Sequence, residues 1–160
     1  MMEILELYVN PFVKTTLSAF KEFAGINIDA GAPCFSSRIC DFEQDISSVI
    51  GLSGDIRGAV VLTMKKAFAI KITDALVGTK HTDLDEDVVD AMGEMVNVIA
   101  GNVKQYVEGG EKIEISLPTV IKGRNHTFAW PGKYSRILYL SFKHEDDTFY
   151  LMVDMEKITD

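Results

Sequence analysis

Apolar residues recur along this chain with two different periods. Phe12, Val13, Leu17, Phe20 and Phe23 fall at the three- and four-residue spacing of one helix face. Asn10 and Pro11 ahead of them read as an N-cap followed by proline at the first helical position, and Gly25 reads as the stop. Residues 2–9 form either a preceding helical turn or a separate short helix. A second helix is expected over Lys66–Val77, closed by Gly78. A third and longer one spans 83–108. Its apolar stripe is Val88, Ala91, Met92, Met95, Ile99 and Val103. Thr82 and Asp85 make a capping-box-like start. Asp83, Asp85, Glu86 and Asp87 load the first turn with the charge that suits the helix dipole.

The strands follow a different pattern. Residues 55–64 are rich in β-branched side chains, and 113–117, 127–130, 136–143 and 148–155 also read as extended. The last two form a hairpin across Glu145-Asp-Asp. Residues 36–42 are compatible with a strand, and 51–54 and Gly132 read as turns. Gly51, Gly54 and Gly58 precede a strand instead of opening a helix after one, so they are turn and sheet-packing glycines and not a phosphate loop. Strands do not alternate regularly with helices. The expected class is therefore α+β, a mainly antiparallel sheet packed with long helices. With 160 residues and no Pro/Gly/Ser-rich linker, a single domain over 1–160 is expected.

Charge narrows the range of partners. The net charge is −8 and the only basic pair is Lys65-Lys66, which argues against nucleic acid. No apolar run approaches the ~20 residues that cross a bilayer, and the chain opens with acids where an export signal needs cations. A cytoplasmic protein without a membrane partner is expected. Cys34 and Cys40 match neither a zinc site nor a disulfide framework, and free, buried or half-buried thiols are expected. His81, His126 and His144 have no metal-ligand spacing and lie near no nucleophile motif, so structural or surface roles are expected.

One further pattern bears on chemistry. On the third helix Asp90, Glu94, Asn97 and Gly101 share a stripe away from the apolar one, at spacings of four, three and four. Glu94 and Asn97 therefore leave the helix side by side. A carboxamide both donates and accepts hydrogen bonds and can hold a water, and a carboxylate can anchor a cation. Phosphoryl hydrolysis asks for little more than a positioned water and well-placed charge. The same pair also fits an ordinary solvated helix face. The six acids over 83–94, with no base among them, fit either such a face or a docking face for a cationic partner.

Taken together, these segments resemble the CheX branch of the CheC/CheX/FliY chemotaxis phosphatases. The resemblance covers nearly the whole chain. It rests on Asn10-Pro11-Phe12, on Gly54 with Gly58-Ala-Val-Val61, on Glu94-Met-Val-Asn97-Val-Ile-Ala-Gly101 and on Leu117-Pro-Thr-Val-Ile-Lys-Gly123. It implies a CheC-like fold that removes the phosphoryl group from the aspartyl phosphate of a CheY-like response regulator. By that resemblance Asn97 orients the attacking water and Glu94 pairs with the regulator's active-site lysine. Asp90, as part of an acidic rim, and Gly101, as a small residue that leaves room for an approaching surface, are expected at the docking face. The resemblance implies no cofactor of the chain's own, with Mg2+ expected in the phosphorylated partner. Some members carry the motif twice. Here Lys14-Thr-Thr-Leu17 stands in the matching region of the first helix, so one active face is expected. The branch also implies a homodimer joined through its sheets, with the late strands as candidate edges. The competing function is a dimeric adaptor that binds a response regulator or a chemotaxis or flagellar component without hydrolysing anything.

Overall fold

The computed structural model describes residues 4–36, 43–106, 109–130 and 136–158. Residues 37–42 of the segment 36–42 that is compatible with a strand, Cys40, the turn at Gly132 and the last two residues expected for the long helix lie outside these. Among the described residues three helices pack on one face of an antiparallel sheet. The helices are α1 (Ile4–Ala24), α2 (Lys66–Val77) and α3 (Glu86–Val103). The strands are β1 (Asp29–Ala30), β2 (Cys34–Ser36), β3 (Ile46–Gly54), β4 (Ile56–Met64), β5 (Ile113–Ile115), β6 (Thr119–Lys122), β7 (Ile137–His144) and β8 (Asp147–Lys157). The strand order is β1-β7-β8-β4-β3-β5, with β2 also on β7 and β6 also on β3. Every pairing is antiparallel. Among the described residues no helix is long and apolar enough to cross a membrane.

The main core lies between helices and sheet. Alternate residues of the central strands, such as Ile46 and Ile50 on β3 and Val60, Leu62 and Met64 on β4, face Phe12, Phe20, Phe68, Met92 and Met95 from the helices. Phe149 stacks against Phe20 and Phe142, with ring centroids 4.8 and 5.3 Å away. The opposite face of the sheet has its own small cluster of Val61, Ile137, Tyr139 and Met152, onto which Phe128 and Trp130 fold. Residues 127–130, expected as a strand, pair with none and serve as this cover. Four polar side chains fasten the segment. Ser47 Oγ lies 2.6 Å from His126 Nε2 and 2.7 Å from Thr63 Oγ1, Thr63 donates to Gln44, and Gln44 Nε2 donates to the His126 carbonyl.

Several expectations change. The first helix does not begin at Asn10. It runs through Pro11, because Tyr8 and Phe12 on either side are both buried in the core. Proline removes the bond to the Leu7 carbonyl, but Leu7 is 55% exposed, so water can take that place. Phe23 is 45% exposed, and Ala24 and Ile26 fill the core at this end instead. Gly51 and Gly54 belong to β3, not to a turn. A Cβ at Gly54 would lie 2.1 Å from the Lys112 carbonyl oxygen, so glycine here serves a close strand approach. Cys34 is exposed, not buried. The late strands are not free edges: β8 lies between β4 and β7, and β7 is bordered by β1 and β2.

Candidate functional site

Helix α3 begins later than its charge pattern suggests. Asp83 Oδ1 accepts from the Leu84 N–H, and Asp85 is the N-cap, its carboxylate accepting from the Val88 N–H at 3.1 Å. The first helical residue is thus Glu86, and regular α-helix ends at Val103 before a short 3-10 turn at 104–106. The orientation of α3 is set by Val88, Met92, Met95, Val96, Ile99, Ala100 and Val103, all buried. That leaves Asp90 and Glu94 exposed, with Asn97 and Gly101 half-buried.

The immediate surroundings of Asn97 on the helix are unusually small. Gly93, Asn97 and Gly101 form one i, i+4, i+8 row, and side chains in such a row lie one above the next. With glycine on either side, the carboxamide sits in a notch that no neighbouring side chain of its row fills. One wall is the β5–β6 segment. A Cβ at Gly93 would lie 3.4 Å from Pro118 Cγ, and one at Gly101 would lie 3.8 Å from Ile115 Cδ1. Gly101 therefore lies over β5, and the tighter approach is at Gly93, which the sequence reading did not single out. Its signal was available, since glycine flanks Asn97 four residues away on both sides. Among the described residues neither Glu94 nor Asn97 makes an intramolecular side-chain hydrogen bond or ion pair. The donors and acceptors of both groups are open to a ligand.

The acids of 83–94 divide into two groups. Asp83 pairs with Lys66 at 3.0 Å, Asp85 caps the helix, and Asp87 binds His81. Glu86, Asp90 and Glu94 have no such commitment among the described residues and carry the outward charge. Between α3 and β6 a shallow groove is lined by Glu86, Val89, Asp90 and Lys122.

His81 fastens the start of α3 to α2. Its side chain is 5% exposed, with Nε2 2.9 Å from Asp87 and Nδ1 2.9 Å from Asp74. These bonds, Asp87's first and Asp74's second, raise its pKa from 6.5 to about 9. His81, Asp85 and Asp87 bring possible metal-ligand atoms within 4.8 Å of one another. The same imidazole nitrogens are engaged with Asp74 and Asp87, so the geometry accounts for this cluster as a hydrogen-bonded latch. The folded-state value lies above the ordinary one. The latch therefore contributes fully below pH 6.5 and is lost as pH rises through about 9. The wild-type thermal midpoint is expected to fall between pH 7 and 10 by more than that of His81→Gln, which differential scanning fluorimetry would measure. Parallel curves would remove His81 from the account.

The fold, an antiparallel sheet with helices packed on one face, is that of the CheC-like superfamily. A CheC-like superfamily protein from Shewanella sp. PV-4 superposes with a TM-score of 0.85 at 25% identity, covering 97% of this chain and 99% of that one. Residues 46–141 match the family model of the chemotaxis phosphatase CheX, and the chain belongs to that family. A CheY-P phosphatase CheX from Thermotoga maritima is 28% identical over 147 residues, 91% of this chain and 94% of that protein. The fold also matches the CheX of a CheX-CheY-BeF3-Mg2+ complex from Borrelia burgdorferi, at a TM-score of 0.80 and 23% identity, covering 94% of this chain and 98% of that one.

Proposed function

We propose that this chain, acting as one domain, accelerates hydrolysis of the aspartyl phosphate on a CheY-like response regulator in chemotaxis signalling. The observation that carries the reading is the Asn97 carboxamide, unspent within the chain and set in a glycine-flanked notch beside exposed Glu94. The α3 face docks over the regulator's phosphorylation site. The Asn97 amide holds a water in line with the phosphorus. Attack by that water breaks the bond between phosphorus and the aspartyl oxygen, releasing inorganic phosphate and restoring the carboxylate. Glu94 pairs with the regulator's active-site lysine and fixes the register of the two proteins. Asp90 and Gly101 belong to the docking face. The phosphorylated aspartate and the Mg2+ both belong to the regulator, as the partner named in the Borrelia burgdorferi complex suggests.

A homodimer is part of the proposal. Its sheet edges would be the β1–β2 side or the β5–β6 side, since these flank the sheet. Phosphate release from a regulator under continuous phosphorylation, followed with a phosphate sensor, tests the activity. Substoichiometric protein should raise the steady rate. A rate indifferent to the protein, together with measurable binding, would favour the adaptor function.

A further inference from the structure

Leu117 is 88% exposed, while the other exposed large apolar residues described lie between 45% and 55%. A single exposed leucine is ordinary on a protein surface. The way this one is held is not. It sits in the three-residue connection between β5 and β6. The Ser116 N–H donates to the Gly51 carbonyl at 2.9 Å, Ser116 Oγ accepts from the Gly51 N–H at 2.8 Å, and the same hydroxyl donates to the Leu117 carbonyl at 3.0 Å. On the other side Pro118, its φ fixed by the ring, packs on α3 at Gly93. The backbone on both sides of Leu117 is thus pinned, and the side chain is held out to solvent with no route to cover of its own.

We infer that Leu117 is an apolar docking residue for the response regulator, seated beside the catalytic face and determining how tightly the partner binds. This rests on the activity proposed above. The occupant follows from continuity, since Pro118 touches α3 at the residue immediately before Glu94. The surface then has two unlike flanks. Glu86, Asp90 and Glu94 offer charge along the helix, and Leu117 offers a rigid apolar contact on the strand side. The complementary surface is the rim of a regulator's phosphorylation face, presenting its lysine to the helix and an apolar side chain to Leu117. A preorganised contact of this kind costs little entropy on binding and appears mainly as a slower off-rate.

The test measures affinity for a CheY-like regulator loaded with BeF3 and Mg2+, by calorimetry, so that binding is read without turnover. Leu117→Ser should bind about tenfold more weakly than wild type, and Leu117→Met should restore most of the affinity. At an exposed position neither change should disturb folding, which circular dichroism would check. In turnover the Leu117→Ser loss should fall mainly on KM, unlike that of Asn97→Ala. Equal affinity of Leu117→Ser and wild type would overturn the inference, as would failure of the wild-type protein to bind the loaded regulator. Wild-type binding without catalysis would overturn the phosphatase reading alone, and the affinity ratio would still decide Leu117.

Discussion

Asn97→Ala should lower the rate of aspartyl-phosphate hydrolysis on the order of 100- to 1,000-fold while leaving both the fold and regulator binding in place. The rate estimate follows from what loss of one positioned hydrogen-bonding group costs in a preorganised site. The fold estimate follows from the surroundings of Asn97. Its amide makes no intramolecular hydrogen bond among the described residues, so truncation strands no partner. Gly93 and Gly101, four residues away on either side, contribute no side chain that packs on it. A stability change within about 0.5 kcal/mol is expected, as for surface substitutions. Stopped-flow dephosphorylation at saturating regulator, paired with urea denaturation, separates the two effects. Wild-type turnover in Asn97→Ala would remove the water-positioning role.

Glu94→Lys should weaken binding of the phosphorylated regulator on the order of 100-fold. The substitution removes an anchor for a lysine and sets two cations against each other, and such like-charge juxtaposition costs several kcal/mol. Glu94→Gln should cost less, because it removes the attraction without adding repulsion. The Glu94→Lys penalty should also shrink as salt rises, since the Glu94 position is exposed and its field is screened over about 10 Å at 0.1 M ionic strength. Fluorescence titration at low and high salt reads both expectations. An affinity that is unchanged by Glu94→Lys at low salt would place Glu94 outside the interface.

Much of this architecture is legible in the sequence, and the reasons differ by element. Helix α3 announces itself because its buried residues keep the 3.6-residue period from Val88 to Val103, and the outward stripe with Glu94 and Asn97 follows from the same period. The β7–β8 hairpin is legible because its turn, Glu145-Asp146, is strongly polar between apolar runs. Strand β3 is hidden, because Ser47, Ser48, Gly51, Ser53 and Gly54 give it the composition of a loop. Ser47 is satisfied by Thr63 from the next strand and by His126, 79 residues away, a pairing that no local pattern shows. Pro11 misleads for a similar reason. Proline is a good first helical residue, but burial of Tyr8 and Phe12 on either side carries the helix through it.

At the site, the pair and its direction are readable, while the shape around it is not. The wall formed by Pro118 and Val120 comes from the β5–β6 segment, which follows the helix in sequence, and its distance from Gly93 is a product of the whole fold. The division of the acids is equally long-range. Only the contacts to Lys66 and His81 show that Asp83 and Asp87 hold the helix start in place, leaving Glu86, Asp90 and Glu94 for a partner.

The central claim is catalysis of phosphoryl loss, and its most direct test is the decay of radiolabelled aspartyl phosphate on a purified CheY-like regulator with Mg2+ present. The decay is followed after addition of wild-type protein, of Asn97→Ala, or of buffer. Wild type should shorten the lifetime of the phosphorylated regulator many-fold, and with Asn97→Ala the decay should run almost as in buffer. A lifetime unchanged by wild type, under conditions where the two proteins bind, would contradict the claim.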